Sequence, residues 1–228
     1  MRKPKASFVI PVYNGMAFLA ETLESCLKQS ERNIEIVVVN DGSTDSTARL
    51  LNYFQGKDER ICAIHLTENR GRCFARNYGI EAARADIIMT LDADDLAYTD
   101  RAKLTLREFK KDDKLDIVYG AFHVMDVLSN VEGAVEAHKF DWDKVITDGF
   151  TYICHSTMSF RKSVFKEVQY TEGEFDKHAI DDWKFQVDCY KRGFRFGHIP
   201  KVLGAYRIIP KARDEAKIRE LKRQCLVG

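Results

Sequence analysis

Three observations predict an α/β chain whose mostly parallel sheet is covered by helices on both faces. Short, wholly apolar, β-branched runs recur through the first half. Amphipathic stretches at helical spacing separate them. Each run also ends in a polar, turn-forming cluster. Strands buried on both faces read as continuous apolar runs, whereas strands with one wet face alternate. The 228 residues suit one large domain or a domain with a small appendage, and a 45% share of hydrophobic residues supplies its core.

Taken in order, residues 7–10 (Ser-Phe-Val-Ile) read as a strand stopped by Pro11 and followed by Tyr13-Asn14-Gly15. Met16, Leu19, Leu23 and Leu27 then recur at helical spacing. Residues 34–39 form the clearest strand, closing on three valines. It gives way to Asn40-Asp41-Gly42-Ser43, whose side chains suit a helix start leading to Leu50, Leu51 and Phe54. Residues 61–66 predict a third strand and Phe74, Tyr78 and Ala82 a third helix, with a fourth strand over 87–91. Ala102, Leu106 and Phe109 mark the helix that follows. Past about Phe109 the alternation fails. Residues 116–125 suggest a strand and 130–137 a hairpin arm, while Trp142, 180–190 and 194–206 supply helix and strand pieces. No Pro/Gly/Ser-rich linker intervenes, so a single domain spans 1–228: one half over about 6–110, a smaller mixed lobe over about 111–207, and a tail over 208–228.

Composition excludes several classes. Lys and Arg total 36 against 35 Asp and Glu, a net charge of +1, without the basic excess of a nucleic-acid binder. The six cysteines are scattered, with no C-x-x-C and no paired His spacing. Free thiols in a reducing compartment are expected, not a disulfide scaffold or a zinc site. Only Phe8-Val9-Ile10 follows the basic N-terminus before Pro11, too short a run for a signal-peptide core, and nothing approaches the ~18 apolar residues of a membrane span. A cytoplasmic location is the expectation. In the tail, Lys211, Arg213, Lys217, Arg219, Lys222 and Arg223 surround Ile218, Leu221 and Cys225 at helical spacing. Such a helix either packs on the domain or lies on an anionic membrane surface.

In open α/β sheets ligands bind outside the carboxyl ends of the strands, which here fall after Ile10, Val39, Leu66 and Leu91. The last of these ends carries Asp92-Ala93-Asp94-Asp95. Acids this close repel unless a cation such as Mg2+ or Mn2+ compensates them, often while bridging to a diphosphate; an acidic turn capping the next helix is the alternative. Asp41, on a turn, has acceptor oxygens for a ligand's N–H group. Arg70, Arg72 and Arg76 lie where diphosphate charge needs neutralising, and Gly71 permits close backbone approach. For Arg70 and Arg72 a merely solvated helix face accounts for the charge equally well.

The ordered elements Ile10-Pro11-Val12-Tyr13-Asn14, Val39-Asn40-Asp41-Gly42-Ser43-Thr44-Asp45, Asn69-Arg70-Gly71 through Ala75-Arg76-Asn77-Tyr78-Gly79-Ile80, and Leu91 to Asp95 together resemble the inverting family 2 glycosyltransferases. The resemblance covers roughly residues 6–207. It implies a GT-A fold, with a mostly parallel Rossmann-like sheet and a smaller acceptor-side lobe. It implies that Pro11, Val12 and Tyr13 flank the nucleobase, that Asp41 with Gly42 and Ser43 binds its imide edge, and that Arg76 lines the nucleotide pocket. Asp92, Ala93 and Asp94 would serve the ribose and phosphates, with Asp94 and Asp95 nearest a Mn2+ or Mg2+ ion.

Ile180-Asp181-Asp182-Trp183 resembles the family's acidic pair, whose second acid is the catalytic base; here Asp181 replaces the usual Glu. Adjacent helical residues project about 100° apart, so the two acids cannot address one atom equally. Asp182 is read as the base and Asp181 as its orienter or an acceptor ligand. His155, beside Ser156 and Thr157, lies where the family lines the acceptor side, or else is a core histidine. Tyr206-Arg207 resembles a late motif that lacks its following His, and the Q-x-x-R-W pattern of processive synthases is missing, implying one sugar per binding event. The implied activity is metal-dependent, inverting transfer from a UDP-sugar to a glycan or lipid-linked acceptor in cell-surface polysaccharide or lipopolysaccharide synthesis. A nucleotide-sugar-binding module without catalysis, and a haloacid-dehalogenase-type phosphatase, are the rival readings of the same acids.

Overall fold

The computed structural model describes residues 3–210 and 214–227. It opens with β1 (Ala6–Val12), α1 (Leu19–Leu27), β2 (Ile34–Asn40), α2 (Thr47–Lys57), β3 (Ile61–His65), α3 (Arg72–Ala82) and β4 (Ile87–Thr90). A two-residue β5 (Leu96–Ala97) and α4 (Arg101–Lys111) close the first half. The second half runs β6 (Ile117–Met125), β7 (Val131–Val135), α5 (Trp142–Asp148), a 3-10 turn over His155–Thr157, β8 (Ser159–Arg161) and α6 (Lys162–Phe165). Next come α7 (Glu174–Lys177), α8 (Asp181–Lys191), β9 (Phe196–Arg207) and α9 (Glu215–Val227).

The nine strands of the described residues join one sheet in the order β3-β2-β1-β4-β8-β6-β9-β5, with β7 added to β6. The β3-β2-β1-β4 half is wholly parallel, as βαβ connections require. β8 then runs antiparallel between β4 and β6, and β6 pairs parallel with β9. The mixed second lobe is therefore a continuation of the same sheet.

Side-chain alternation along the strands divides the core in two. Phe8, Ile10, Ile36, Val38 and Met89 pack with Leu19, Leu23, Leu51, Phe54 and Ala102, placing α1, α2 and α4 on one face. Val9, Val37, Val39 and Ile88 pack with Cys73, Ala75, Ile80 and Phe185, placing α3 and α8 on the other. β1, β2 and β4 are buried on both faces, which is why they read as unbroken apolar runs, whereas the edge strand β3 exposes Cys62 and His65. Gly79 sets the closeness of α3: a Cβ there would lie 2.7 Å from Val9 Cγ1.

Pro11 does not stop the first strand, contrary to expectation. β2 accompanies β1 through Val12, but β4 leaves it after Val9. At Pro11 only one side still carries a ladder, so its missing N–H costs nothing on the other. The strand 194–206 also hides an irregularity: its pairing with β6 slips between Gly120 and Phe122, accommodating Pro200.

The tail forms a helix whose apolar stripe is used internally. Ile218 and Leu221 pack against Ile180 and Phe175, and Leu226 against the Trp183–Val187 cluster. Lys222 Nζ donates to the Gly149 carbonyl at 2.7 Å and sits over the Phe150 ring. Lys211 and Arg213 lie outside the described residues. Among the described residues no helix is long and apolar enough to cross a membrane.

Candidate active site

The loops at the carboxyl ends of β1, β2 and β3 are stitched together by short polar side chains. Asn14, at φ +51, donates its N–H to Ser43 Oγ at 2.9 Å and accepts Thr44 N–H on Oδ1 at 2.8 Å. Asp41 is the knot. Its N–H donates to the Val12 carbonyl at 2.8 Å, and its carboxylate accepts the N–H groups of Arg70 at 2.8 Å and Gly71 at 2.9 Å. Gly42, at φ +65, carries the turn past the backbone of Glu68, where any Cβ would collide. Pro11 and Val12 are buried, while Tyr13 is exposed beside them. The guanidinium of Arg70 stacks 3.6 Å above the Phe74 ring and stays at the surface.

Arg76 leaves the first turns of α3 and is buried in the middle of the site. Its guanidinium donates from Nη1 to Asp181 Oδ2 and from Nη2 to Asp92 Oδ1 at 3.0 Å, beneath the Tyr170 ring. Burial alone would lower its pKa, but the charges of Asp181 and Asp92 carry it above the usual arginine range. One cation thus joins the loop after β4 to the first residue of α8.

The three acids of that loop meet different environments. Asp92 is 35% exposed, opens toward the site and lies 3.7 Å from His155 Nδ1. Burial pushes its pKa up, yet His155, Arg76 and Arg72 together hold it far below the carboxylate range. Asp94 is half-buried, and its carbonyl accepts Arg207 Nε–H at 2.8 Å. Asp95 turns the other way and is wholly buried. Its oxygens accept Ser156 Oγ–H and the Arg207 N–H, the latter at 2.7 Å. Burial, then the charges of Asp92 and Asp94, raise its pKa. Both Asp95 oxygens are thus engaged by the protein, while Asp92 and Asp94 keep the more open side of the loop.

The acidic pair starting α8 is equally asymmetric. Asp181 is buried and held by Arg76, with Arg72 Nε 3.9 Å away. Asp182, half-buried, accepts only its neighbour's N–H, from Trp183 at 2.7 Å, among the bonds its carboxylate makes within the described residues. Burial and then Asp181 raise the Asp182 pKa, against the pull of His155 and the Trp183 N–H. The first-turn position favours negative charge through the helix dipole; this carboxyl is nonetheless the more basic for its surroundings.

The residues suit a hard divalent cation. Asp92 and Asp94 offer two carboxylates on one loop, the number Mg2+ or Mn2+ takes when phosphate and water oxygens complete the shell. A different trio, Cys73, Asp176 and Asp181, places one ligand atom each within 4.8 Å of the others. Its acids are instead paired with Arg72 and Arg76, and the buried Cys73 thiol, its pKa pushed up, donates to the Thr171 carbonyl.

Several supporting residues escape sequence reasoning. Arg207, fully buried at the end of β9, donates to Glu21, Ser129 and the carbonyls of Asp94 and Asp126. Arg101, also fully buried, donates to the carbonyls of Thr90 at 2.7 Å and Met158 at 3.1 Å, and burial depresses its pKa to about 10. Ser156 braces the acidic loop twice, accepting Asp92 N–H at 3.1 Å and donating to Asp95. The sequence marks Ser156 only as a neighbour of His155 and Arg207 only as part of a late motif, and it gives Arg101 no mark at all; their bracing roles come from contacts distant in the chain.

Comparison with known proteins follows this geometry. The profile described as Glycosyl transferase family 2 matches residues 7–169. An uncharacterized glycosyltransferase of Haemophilus influenzae is 31% identical over 84% of this chain and 74% of its own length. Glycosyltransferase GlyG of Streptococcus pneumoniae is 27% identical over 76% of this chain and 62% of its own. Among solved structures, S. aureus TarS in complex with UDP superimposes with a TM-score of 0.72 at 19% identity, covering 98% of this chain, which spans 66% of the TarS chain. The mannosyltransferase PcManGT of Pyrobaculum calidifontis, in complex with GDP-Man and Mn2+, gives a TM-score of 0.68 at 19% identity, covering 100% of this chain and 63% of its own. These structural likenesses establish the shared architecture, and the profile match and the 31% relative establish the lineage: the chain belongs to glycosyl transferase family 2 and is a glycosyltransferase of GT-A fold.

Proposed function

We propose that the chain transfers a sugar from a UDP-sugar to a hydroxyl of a glycan or lipid-linked acceptor, inverting the anomeric carbon, with Mn2+ or Mg2+ as cofactor. Cell-surface polysaccharide or lipopolysaccharide assembly is the setting this implies. The observation that carries the reading is the unlike treatment of two adjacent acids: Arg76 captures Asp181, while Asp182 remains half-buried beside Asp92 with a raised pKa. A general base works best when its pKa approaches the working pH.

Asp182 takes the proton of the acceptor hydroxyl as that oxygen attacks the anomeric carbon. The bond from that carbon to the diphosphate breaks on the opposite face. Arg70 and Arg72, both exposed near the site, meet charge gathering on the leaving diphosphate. Asp41 uses its remaining lone pairs for the uracil imide N–H, between Pro11, Val12 and Tyr13, with the Gly42-Ser43 turn alongside. Asp94, with Asp92, would hold the cation, which would neutralise charge on the diphosphate. The UDP and GDP-Man complexes of TarS and PcManGT support the ligand class.

Thermal stabilisation by a panel of nucleotide sugars, with Mn2+ or with chelator, tests this. A UDP-sugar is expected to stabilise most, and more with Mn2+. Asp94→Ala should erase the metal-dependent increment, whereas Asp95→Ala should lower the melting temperature equally with and without metal. Stabilisation by GDP-sugars alone would refute the uridine assignment, and indifference to chelator would refute the metal.

The pH profile follows from the raised pKa of Asp182. Only the ionised carboxylate accepts a proton, so kcat falls as pH drops through that pKa. The acid limb of a kcat–pH curve should lie above the ordinary aspartate range. A limb within that range would mean that another group limits the reaction.

A further inference from the structure

We infer that His155 is a positioning residue for the sugar-donor site: Nδ1 carries a proton in the charged ring and, because Tyr170 selects that tautomer, in the neutral ring too, and this N–H orients the Asp92 carboxylate. The inference rests on the proposed role of Asp92 in binding the nucleotide sugar.

The His155 side chain is only 4% exposed. Its backbone is fixed, with the carbonyl accepting Thr90 Oγ–H at 2.5 Å and Met158 N–H at 3.0 Å. Nε2 lies 2.9 Å from the Tyr170 hydroxyl. That tyrosine is itself immobile. It stacks on Phe185 at 4.3 Å between centroids, and Asn77 clamps both its N–H, at 3.0 Å, and its carbonyl, at 2.9 Å. Nδ1, by contrast, is buried and has no hydrogen-bond partner among the described residues. It faces Asp92 Oδ1 at 3.7 Å.

Tautomer choice follows from who can donate. A tyrosine hydroxyl donates or accepts, but a carboxylate only accepts. If Nε2 alone carried a proton, a bare Nδ1 lone pair would face an anion. With the hydroxyl donating to Nε2, the ring proton sits on Nδ1 and points at the carboxylate, so neither group is frustrated. Arg76 Nη2 already donates to the same Oδ1 at 3.0 Å. Two donors converging on Oδ1 leave Oδ2 as the oxygen turned toward a ligand. The remaining gap exceeds a hydrogen bond, and bonds in catalytic sites commonly tighten on substrate binding.

Two substitutions separate the two ring nitrogens. His155→Asn keeps an N–H donor at the Nδ1 position and loses the bond to Tyr170; His155→Gln keeps a group for Tyr170 and loses the donor to Asp92. The KM for the sugar donor should rise about tenfold in His155→Gln, the worth of one hydrogen bond to a charged group, with kcat changing less. In His155→Asn it should stay close to wild type. Melting temperatures should rank the other way, Gln above Asn. A purely structural histidine would make activity follow stability, and that pattern would overturn the inference. Independently, 15N chemical shifts of histidine-labelled wild-type protein, with His155 assigned by its absence in His155→Gln, should show protonated Nδ1 and bare Nε2 at a pH above the imidazole range. A protonated Nε2 would overturn the assignment. If no nucleotide sugar binds the wild type, the parent reading fails, while the tautomer measurement still decides the hydrogen-bond assignment.

Discussion

Asp182→Asn is expected to lower kcat for sugar transfer by roughly 10²–10⁴-fold, the usual contribution of a positioned proton acceptor. Its affinity for UDP should be nearly unchanged, since this side chain makes no bond to Arg76, unlike Asp181. The amide preserves shape and still accepts the Trp183 N–H. Asp181→Asn is the informative partner. It removes one negative charge from the same helix start, yet it also loosens Arg76, so its loss should fall on stability and sugar-donor binding more than on kcat. Collapse of kcat in Asp181→Asn with near-normal transfer in Asp182→Asn would reverse the assignment. Normal transfer in both would remove this pair from the chemistry.

Arg76→Leu should destabilise the fold by about 3–5 kcal/mol, the cost of leaving a buried charge without its partner. Asp181 is buried, and the guanidinium is its closest cation, with Arg72 more distant. Urea unfolding reads the loss directly. Arg76→Lys should recover part of it, because an ammonium supplies the charge but not the planar fork that reaches Asp181 and Asp92 together. A loss below about 1 kcal/mol in Arg76→Leu, the range of exposed pairs, would show that the pair contributes no more than a surface bridge. Where the leucine variant remains folded, the acid limb of its kcat–pH curve should move further up, since Asp181 would no longer be neutralised beside Asp182.

The parallel half of the sheet was legible because β1, β2 and β4 are buried on both faces, and burial on both faces writes itself as runs such as Ile36 to Val39. The polar clusters after those runs stand at the strand ends, which is where they were expected. What resisted reading was set by contacts distant in the chain. Asp94 and Asp95 are chemically alike and adjacent, and nothing local separates them. The direction of Asp95 is decided by Ser156, 61 residues away, and by the Arg207 N–H, 112 residues away. Strands of two and three residues, β5 and β8, are too short to carry a period. Pro11 misled because a local rule about its missing N–H depends on whether a neighbouring strand is still present. The tail's basic, amphipathic pattern fitted two surroundings, and its apolar residues pack against Ile180 and α8.

Arg207 also dictates an order of events. It ties the Asp94 carbonyl and the N–H-bound Asp95 to Glu21, which lies 186 residues earlier in the chain. Contacts of such long sequence separation form late, because the intervening loop must close before they return anything. During synthesis, β1 to β4 emerge before β8 and β9, which complete their sheet. The clasp on the acidic loop can therefore close only once β9 has been made. Competence for the reaction arrives with the last strand, and an enzyme built this way cannot begin work half made.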